Sequence, residues 1–346
     1  MNIQTWGILG RSFHFGLHGV GQEKTSPTLG SDSLFAALVA RLARSSNPAR
    51  VEEFCRPFVS GSPPFVLTST FPLAGRVRFF PPPITSRTPD SSQASHKLIK
   101  KVLFVSESLY RKLLDGEMLS SLGEIHPLQN GKVWASKAEI KDLPVELVKA
   151  GVNLWAEEQR PRVSLDRASQ ASLLYFTGQV TFAAGCGLWF GLRWLQLDPA
   201  LQQQLAALLA DLADAGLGAE RNSGLGGARI QPLDDLTLPD AEAAGRWTTL
   251  SRYLPGSDET SILAHPGSAY TIRSIGGWLD SPARTGQRRR NINLLAEGSV
   301  LGSLPCPVPG QVVDVRPVYE SDPDPLGHPV YRSGLALAVG MKGAGV

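Results

Sequence analysis

Gly216-x-Gly218-x5-Gly224-x-Gly226 places four glycines within eleven residues, and what flanks them limits what the segment can be. Dinucleotide-binding and P-loop folds need a strand before the glycines and a helix after them, so that phosphate meets the positive end of a helix. Here the order is inverted. Upstream, Asp198 precedes Pro199, and Leu201, Leu205, Leu208, Leu209 and Leu212 recur on one helical face that ends before Gly216. Downstream, ARIQPL has strand character, and no Gly-Lys-Ser/Thr closes the run. Nucleotide folds are therefore disfavoured, and two alternatives remain. The segment is either a surface turn, or a loop whose bare amides approach a phosphate while Arg221 and Arg229 supply charge and Asn222 and Ser223 hydrogen bonds.

The rest of the chain reads as mixed helix and strand. Ile3 to Phe15 has strand character and runs into HFGLHGVG, a second glycine-rich loop. Ser31 or Asp32 caps a helix with Leu34, Leu38 and Leu42 on one face, stopped near Pro48. PFVLTSTFPL reads as a strand, the prolines of FFPPPI impose extended backbone, and Thr85 to His96 is polar and rich in breakers, as a mobile loop would be. LLYFTGQVTF and LWFGLRWLQL, joined through AAGCG, predict a hairpin. Short strand candidates separated by turns fill the remainder. Hairpins imply antiparallel pairing, so the predicted class is α+β: tandem ferredoxin-like (RRM-like) folds with antiparallel sheets and Gly-rich loops. The boundary is expected near Pro161–Leu165, giving domains at 1–168 and 169–346.

Composition narrows the function classes. Against 31 Asp+Glu there are 34 Lys+Arg in 346 residues, a formal charge of +3, which excludes a basic-tail or acidic solvating protein. With 42% hydrophobic residues the chain can build a core, and disorder is excluded as its main state. Cys55, Cys186 and Cys306 are too few and too scattered for a disulfide framework, so a reduced, cytoplasmic protein is expected. MNIQTWGILGRSFHFG does not read as a signal peptide, and Gln179, Arg193 and glycines interrupt the most apolar stretch, so no membrane span is expected.

His14 and His18 have a spacing that would suit a metal only on a helix, and Gly16 argues against one. No Cys-x2-Cys pair or His-Glu-x2-His motif occurs, so neither a metal nor a cofactor is expected. Two roles for His14 stay open beside satisfaction by local backbone: a general base at an RNA 2′-hydroxyl, or a group that stacks on and hydrogen-bonds a base. Arg288, Arg289 and Arg290 form the one dense basic cluster, either a solvated loop or a set of phosphate contacts.

Taken in order, HFG at 14–16, SDSLFAAL, FPPP before a basic strand, RVSLDR, LYFTGQVTF, the glycine loop and AEGSV around Glu297 resemble the RAMP superfamily. Within it the chain is most similar to the fourth subunit of the Csm-type (type III-A) CRISPR effector complex. The resemblance implies a non-enzymatic, RNA-binding subunit that holds the 5′ handle of the crRNA and contacts the large polymerase-like subunit and the backbone RAMP subunit, with target RNA as a further contact. By the same resemblance, RNA would meet His14, Gly16 and His18 in the first loop and Gly218, Arg221, Asn222, Ser223, Gly224, Gly226 and Arg229 in the second, while Thr85–His96 would project a finger over the guide. The competing expectation is a metal-independent RAMP endoribonuclease that processes precursor crRNA, with His14 as base and Arg11 or Lys24 as its cationic partner.

Overall fold

The computed structural model describes residues 1–16, 24–84, 98–166, 171–279, 286–322 and 324–342. The expected finger at 85–96 and His18 lie outside these residues.

Strand β1 (Asn2–Leu9) is followed by the two-residue β2 (Ser12–Phe13), then helix α1 (Ser31–Ser45), helix α2 (Pro48–Val59) and strand β3 (Phe65–Leu67). Next come β4 (Phe71–Ala74), β5 (Val77–Phe80), β6 (Phe104–Ser106), β7 (Ile125–Leu128) and β8 (Val133–Ser136). Two eleven-residue strands, β9 (Trp155–Leu165) and β10 (Ser172–Phe182), precede β11 (Cys186–Trp194) and β12 (Arg229–Thr237). Among the described residues a nine-stranded sheet has the order β12-β1-β11-β4-β5-β6-β8-β7, with β3 also beside β11. Its pairs are antiparallel except β6 with β8, which run parallel, so the sheet is mixed rather than purely antiparallel.

Helix α1 turns Leu34, Phe35, Leu38 and Leu42 into the core, as the four-residue spacing predicts. The Pro199–Ala215 helix packs beside it through Leu205, Leu208, Leu209 and Leu212. Asp198 caps this second helix by accepting from the Ala200 amide at 2.9 Å, and Gly216 ends it at φ 83°. A two-point ion pair, Arg41 Nε and Nη2 each 2.7 Å from an Asp211 oxygen, joins the two helices at their exposed edge.

The predicted hairpin between LLYFTGQVTF and LWFGLRWLQL does not form. Strand β10 pairs instead with β9, from Ser172 opposite Leu165 to Phe182 opposite Trp155, while β11 lies between β1 and β4 in the large sheet. The turn at Gly185 (φ 72°) is present, but it carries the chain from one sheet into another. Burial explains the exchange: β11 is buried at every position from Cys186 to Leu192 and has neighbours on both edges, leaving β10 no edge to join. The division expected at 168/169 lies outside the described residues, between the paired strands β9 and β10, and the large sheet takes β1 and β11 from opposite sides of it.

The C-terminal part is built from short strands: β13 (Arg246–Thr249), β14 (Ile272–Ile275), β15 (Ile292–Leu295), β16 (Val300–Leu301), β17 (Val312–Asp314), β18 (Tyr331–Ser333) and β19 (Ala338–Met341). Strand β13 lies between β16 and β19, and β14–β15 and β17–β18 form separate antiparallel pairs. A second core gathers around Trp247 and Tyr253, whose rings meet edge to face at 5.6 Å.

Candidate nucleic-acid interface

The segment from Gly216 to Ala228 leaves the Pro199–Ala215 helix and enters β12, which pairs with β1. On the way it closes onto the segment after β1. The Ala219 amide donates to His14 O at 2.9 Å and the Gly226 amide to Ser12 O at 2.8 Å. Within the loop, the Leu217 amide donates to Gly226 O at 2.8 Å, and Ser223, Gly224 and Leu225 donate to Glu220 O or Arg221 O. Two glycines allow this approach. A Cβ on Gly218 (φ 96°) would lie 2.5 Å from His14 O, and one on Gly226 (φ 86°) 2.5 Å from Leu217 O. The glycines thus bring backbone against backbone, and these amides are spent within the protein rather than held bare for a phosphate. The sequence alternatives meet in the middle: the loop is neither a plain turn nor an open amide cradle.

Its outer edge is different. Asn222, Ser223, Gly224, Gly227 and Arg229 are exposed, and Arg221 is half-buried. Gly224 has φ 82° but nothing within 4 Å of where a Cβ would stand, so this end of the loop is open to a ligand. Contact with an RNA would come through these side chains and the tip, with Glu220 close by as acceptor for Ser223 Oγ at 3.2 Å.

His14 is 1% exposed, and its Nδ1 lies 2.6 Å from Gly178 O, so the ring nitrogen donates to that carbonyl. The neighbouring Phe13 and Phe15 rings stack at 5.3 Å beneath the loop. Of the roles left open for His14, satisfaction by backbone is the one this geometry displays. Gly16 is exposed and bridges Thr25, and a Cβ there would stand 3.1 Å from His14 Nε2. The structure therefore unites the 12–16 and 216–228 segments, which are distant in sequence, into one double-loop surface.

Arg288, Arg289 and Arg290 lie elsewhere and point three ways. Arg288 is exposed with its guanidinium 4.5 Å from the centre of the Trp278 ring. Arg290 hydrogen-bonds Asp314 O, and its amide donates to Val315 O at 2.8 Å. Arg289 turns inward, donates to Gly276 O, and feels Arg332, Asp32 and Arg252 electrostatically. Burial, with Arg332 beside it, lowers its pKa to about 10. Asp32, in the first turn of α1, is fully buried. Burial alone would raise its pKa, but the charges of Arg252, Arg332 and Arg289 outweigh that and hold it below the ordinary carboxylate value.

One surface was missed in the sequence. The far half of the β9–β10 hairpin stands clear of the core: Leu165 and Leu173 are each 69% exposed, Tyr175 and Phe176 each 37%, and Val163 and Leu174 are exposed between them. Tyr175 pairs across the ladder with Arg162 and Phe176 with Pro161, while Arg160 is exposed nearby. LLYFTGQVTF reads as an ordinary strand; the signal in the sequence is its unbroken apolar run LLYF, which lacks the alternation of a half-buried strand, opposite a segment that adds Val163 and Leu165 between polar residues.

Among the described residues no group of three or more His, Cys, Asp or Glu could hold a metal, and no helix is long and apolar enough to cross a membrane.

Comparisons with known proteins agree with this architecture. Residues 242–341 match the family described as the CRISPR Csm4 C-terminal domain. Csm4 of Thermococcus onnurineus is 24% identical over 314 residues, covering 90% of this chain and 91% of the relative. Csm4 of Methanocaldococcus jannaschii is 23% identical over 278 residues, 70% of this chain and 72% of the relative. A chain in the crystal structure of the Csm3-Csm4 subcomplex of the type III-A CRISPR-Cas interference complex shares the fold, with TM-score 0.66 at 18% identity over 98% of this chain and 100% of that one. A chain of the Csm1-Csm4 cassette in complex with cA3 follows, with TM-score 0.58 and 15% identity over 99% and 98%. The three comparisons point the same way: residues 242–341 match the Csm4 C-terminal domain, the chain is similar along most of its length to curated Csm4 proteins, and it shares the fold of chains solved in Csm3-Csm4 and Csm1-Csm4 assemblies.

Proposed function

We propose that the chain is a non-catalytic crRNA-binding subunit of a type III-A interference complex, gripping the 5′ handle and docking the large polymerase-like subunit and the backbone RAMP subunit in antiviral defence. The observation that carries this is the exposed end of the β9–β10 hairpin. Aromatic and aliphatic side chains interleaved with Arg160 and Arg162 suit unstacked bases and their phosphates, and such a surface is costly to leave in water. The double-loop surface at 12–16 and 216–228 adds Asn222, Ser223 and Arg229 as outward polar groups. Relatives of this fold have been solved as Csm3-Csm4 and Csm1-Csm4 assemblies, which supports the two docking partners.

The tandem ferredoxin-like organisation belongs to the same proposal, with the large sheet under α1 as the first unit and the short-stranded C-terminal part as the second. A cytoplasmic setting fits as well: the Cys55 and Cys186 thiols are buried, and burial pushes each pKa up to about 12, where they are inert. The burial of His14 favours this reading over the ribonuclease alternative, whose base it would have to be.

The test is to purify the chain with its complex and sequence the bound small RNA, beside a Tyr175→Ser, Phe176→Ser double variant. Wild type should carry RNAs sharing one 5′ end, and the variant should retain several-fold less while folding normally. RNA of random ends, or undiminished retention by the variant, would refute the assignment.

A further inference from the structure

Where the first turn of α1 meets the C-terminal part, three arginines converge on two carboxylates. Arg252 uses both: its Nη1 lies 2.7 Å from Asp32 Oδ1 and its Nε 3.3 Å from Glu297 Oε1. Glu297 also accepts from Ser69 Oγ at 2.5 Å, and Asp32 from Ser33 Oγ at 3.1 Å. Arg332 is left at 3.7 Å from Asp32 Oδ2, and its hydrogen bonds go to Asp32 O at 3.3 Å and Ser33 Oγ at 3.5 Å. Arg289 has a single backbone acceptor, Gly276 O, and no carboxylate within ion-pair distance among the described residues.

One positive charge is therefore in surplus, and it is not on the open surface. Arg252 is 9% and Arg332 8% exposed, and the Nε atoms of Arg332 and Arg289 are buried without a hydrogen-bond partner. Buried guanidinium groups normally have their donors satisfied and their charge matched, because desolvating them unpaired is expensive. Space has been made for the arrangement: a Cβ on Gly30, just before α1, would run into the Arg252 guanidinium, which would have to shift from its present place to admit one. The positive end of α1 lies beside the cluster and adds to the field. Arg289 is only half-buried, which makes it the member that solvent, or a ligand, can reach.

We propose that Arg289, backed by Arg332 and Arg252 at the start of α1, receives one phosphate group. Guanidinium forks match phosphate oxygens in pairs, and a phosphodiester carries the single negative charge that the cluster lacks. The ligand is phosphate rather than a partner carboxylate because the same segment continues outward as Arg288 over Trp278 and as Arg290, a strip suited to a polyanion with bases. The site rests on the guide-binding function proposed above and places it at a second point, on the C-terminal part of the chain.

Two measurements on the full chain test it. In the first, thermal unfolding is followed with and without inorganic phosphate at constant ionic strength. Phosphate should raise the wild-type midpoint, raise that of Arg289→Lys less, and leave Arg289→Gln unmoved; an equal rise in wild type and Arg289→Gln overturns the site. In the second, binding of a handle-bearing RNA is followed across a salt series. The slope of log affinity against log salt should fall by about one in Arg289→Gln, the loss of one phosphate contact. An unchanged slope, with phosphate protection still dependent on Arg289, overturns the phosphodiester as occupant and leaves free phosphate. Absence of any RNA binding by wild type, with that protection intact, overturns the guide-binding function and not the anion site.

Discussion

Gly224 and Gly226 offer a controlled comparison of what the glycine loop is for. Both have left-handed backbone, φ 82° and φ 86°, so an alanine at either meets the same conformational cost, about 1–2 kcal/mol. Their surroundings differ. A methyl on Gly224 finds nothing within 4 Å, whereas one on Gly226 would sit 2.5 Å from Leu217 O and 3.1 Å from Leu217 N. That contact is backbone on backbone and cannot be relieved by turning a side chain. It would force apart the Leu217 amide and Gly226 O, now 2.8 Å apart, and displace the Gly226 amide from Ser12 O. Overpacking of this kind costs about 1–3 kcal/mol, and each strained hydrogen bond about 0.5–1.5 kcal/mol. Gly226→Ala should therefore destabilise by about 2–6 kcal/mol more than Gly224→Ala in equilibrium urea unfolding of the full chain, read by tryptophan fluorescence. Equal losses at the two positions would refute the assignment of Gly226 to a structural clasp and return the loop to an open amide cradle, in which both glycines matter only to the ligand.

Two further outcomes follow from buried polar groups. Asp32→Asn leaves Arg252 and Arg332 without their shared carboxylate and should cost about 3–5 kcal/mol at neutral pH, measured by denaturant unfolding. Because the folded pKa of Asp32 is depressed, its stabilisation is fully present above the unfolded value of about 3.9 and is lost as pH falls through the folded value, so the variant should show a shallower acid loss than wild type. His14→Ala strands Gly178 O in the core and should lower stability by about 1–3 kcal/mol; a variant as stable as wild type would contradict the structural role of the imidazole.

Local order was legible where one stretch of chain contains its own reason. The Asp198 cap, Pro199 and the leucine stripe specify a helix that ends at Gly216, and the structure begins and ends it there. Helix α1 likewise follows from Leu34, Leu38 and Leu42, although its N-cap is Gly30 rather than Ser31 or Asp32. The aromatic run LLYFTGQVTF was correctly a strand but was given the wrong neighbour, because strand character states which residues extend and not which edge is free. The glycines were correctly marked as points of close approach, but the approaching group is the backbone of residues 12–16 and of the loop itself.

The amino-acid order alone determined the helix limits, the strand character and the two glycine loops, since caps, periodicity and φ preference act within a few residues. Three matters were decided only on folding: that β9 rather than β11 pairs with β10, that His14 faces Gly178 O instead of solvent, and that Arg289 turns towards Asp32 while Arg288 and Arg290 turn elsewhere. Each depends on which distant surface is still unburied when the segment arrives, and neighbours hundreds of residues away set that.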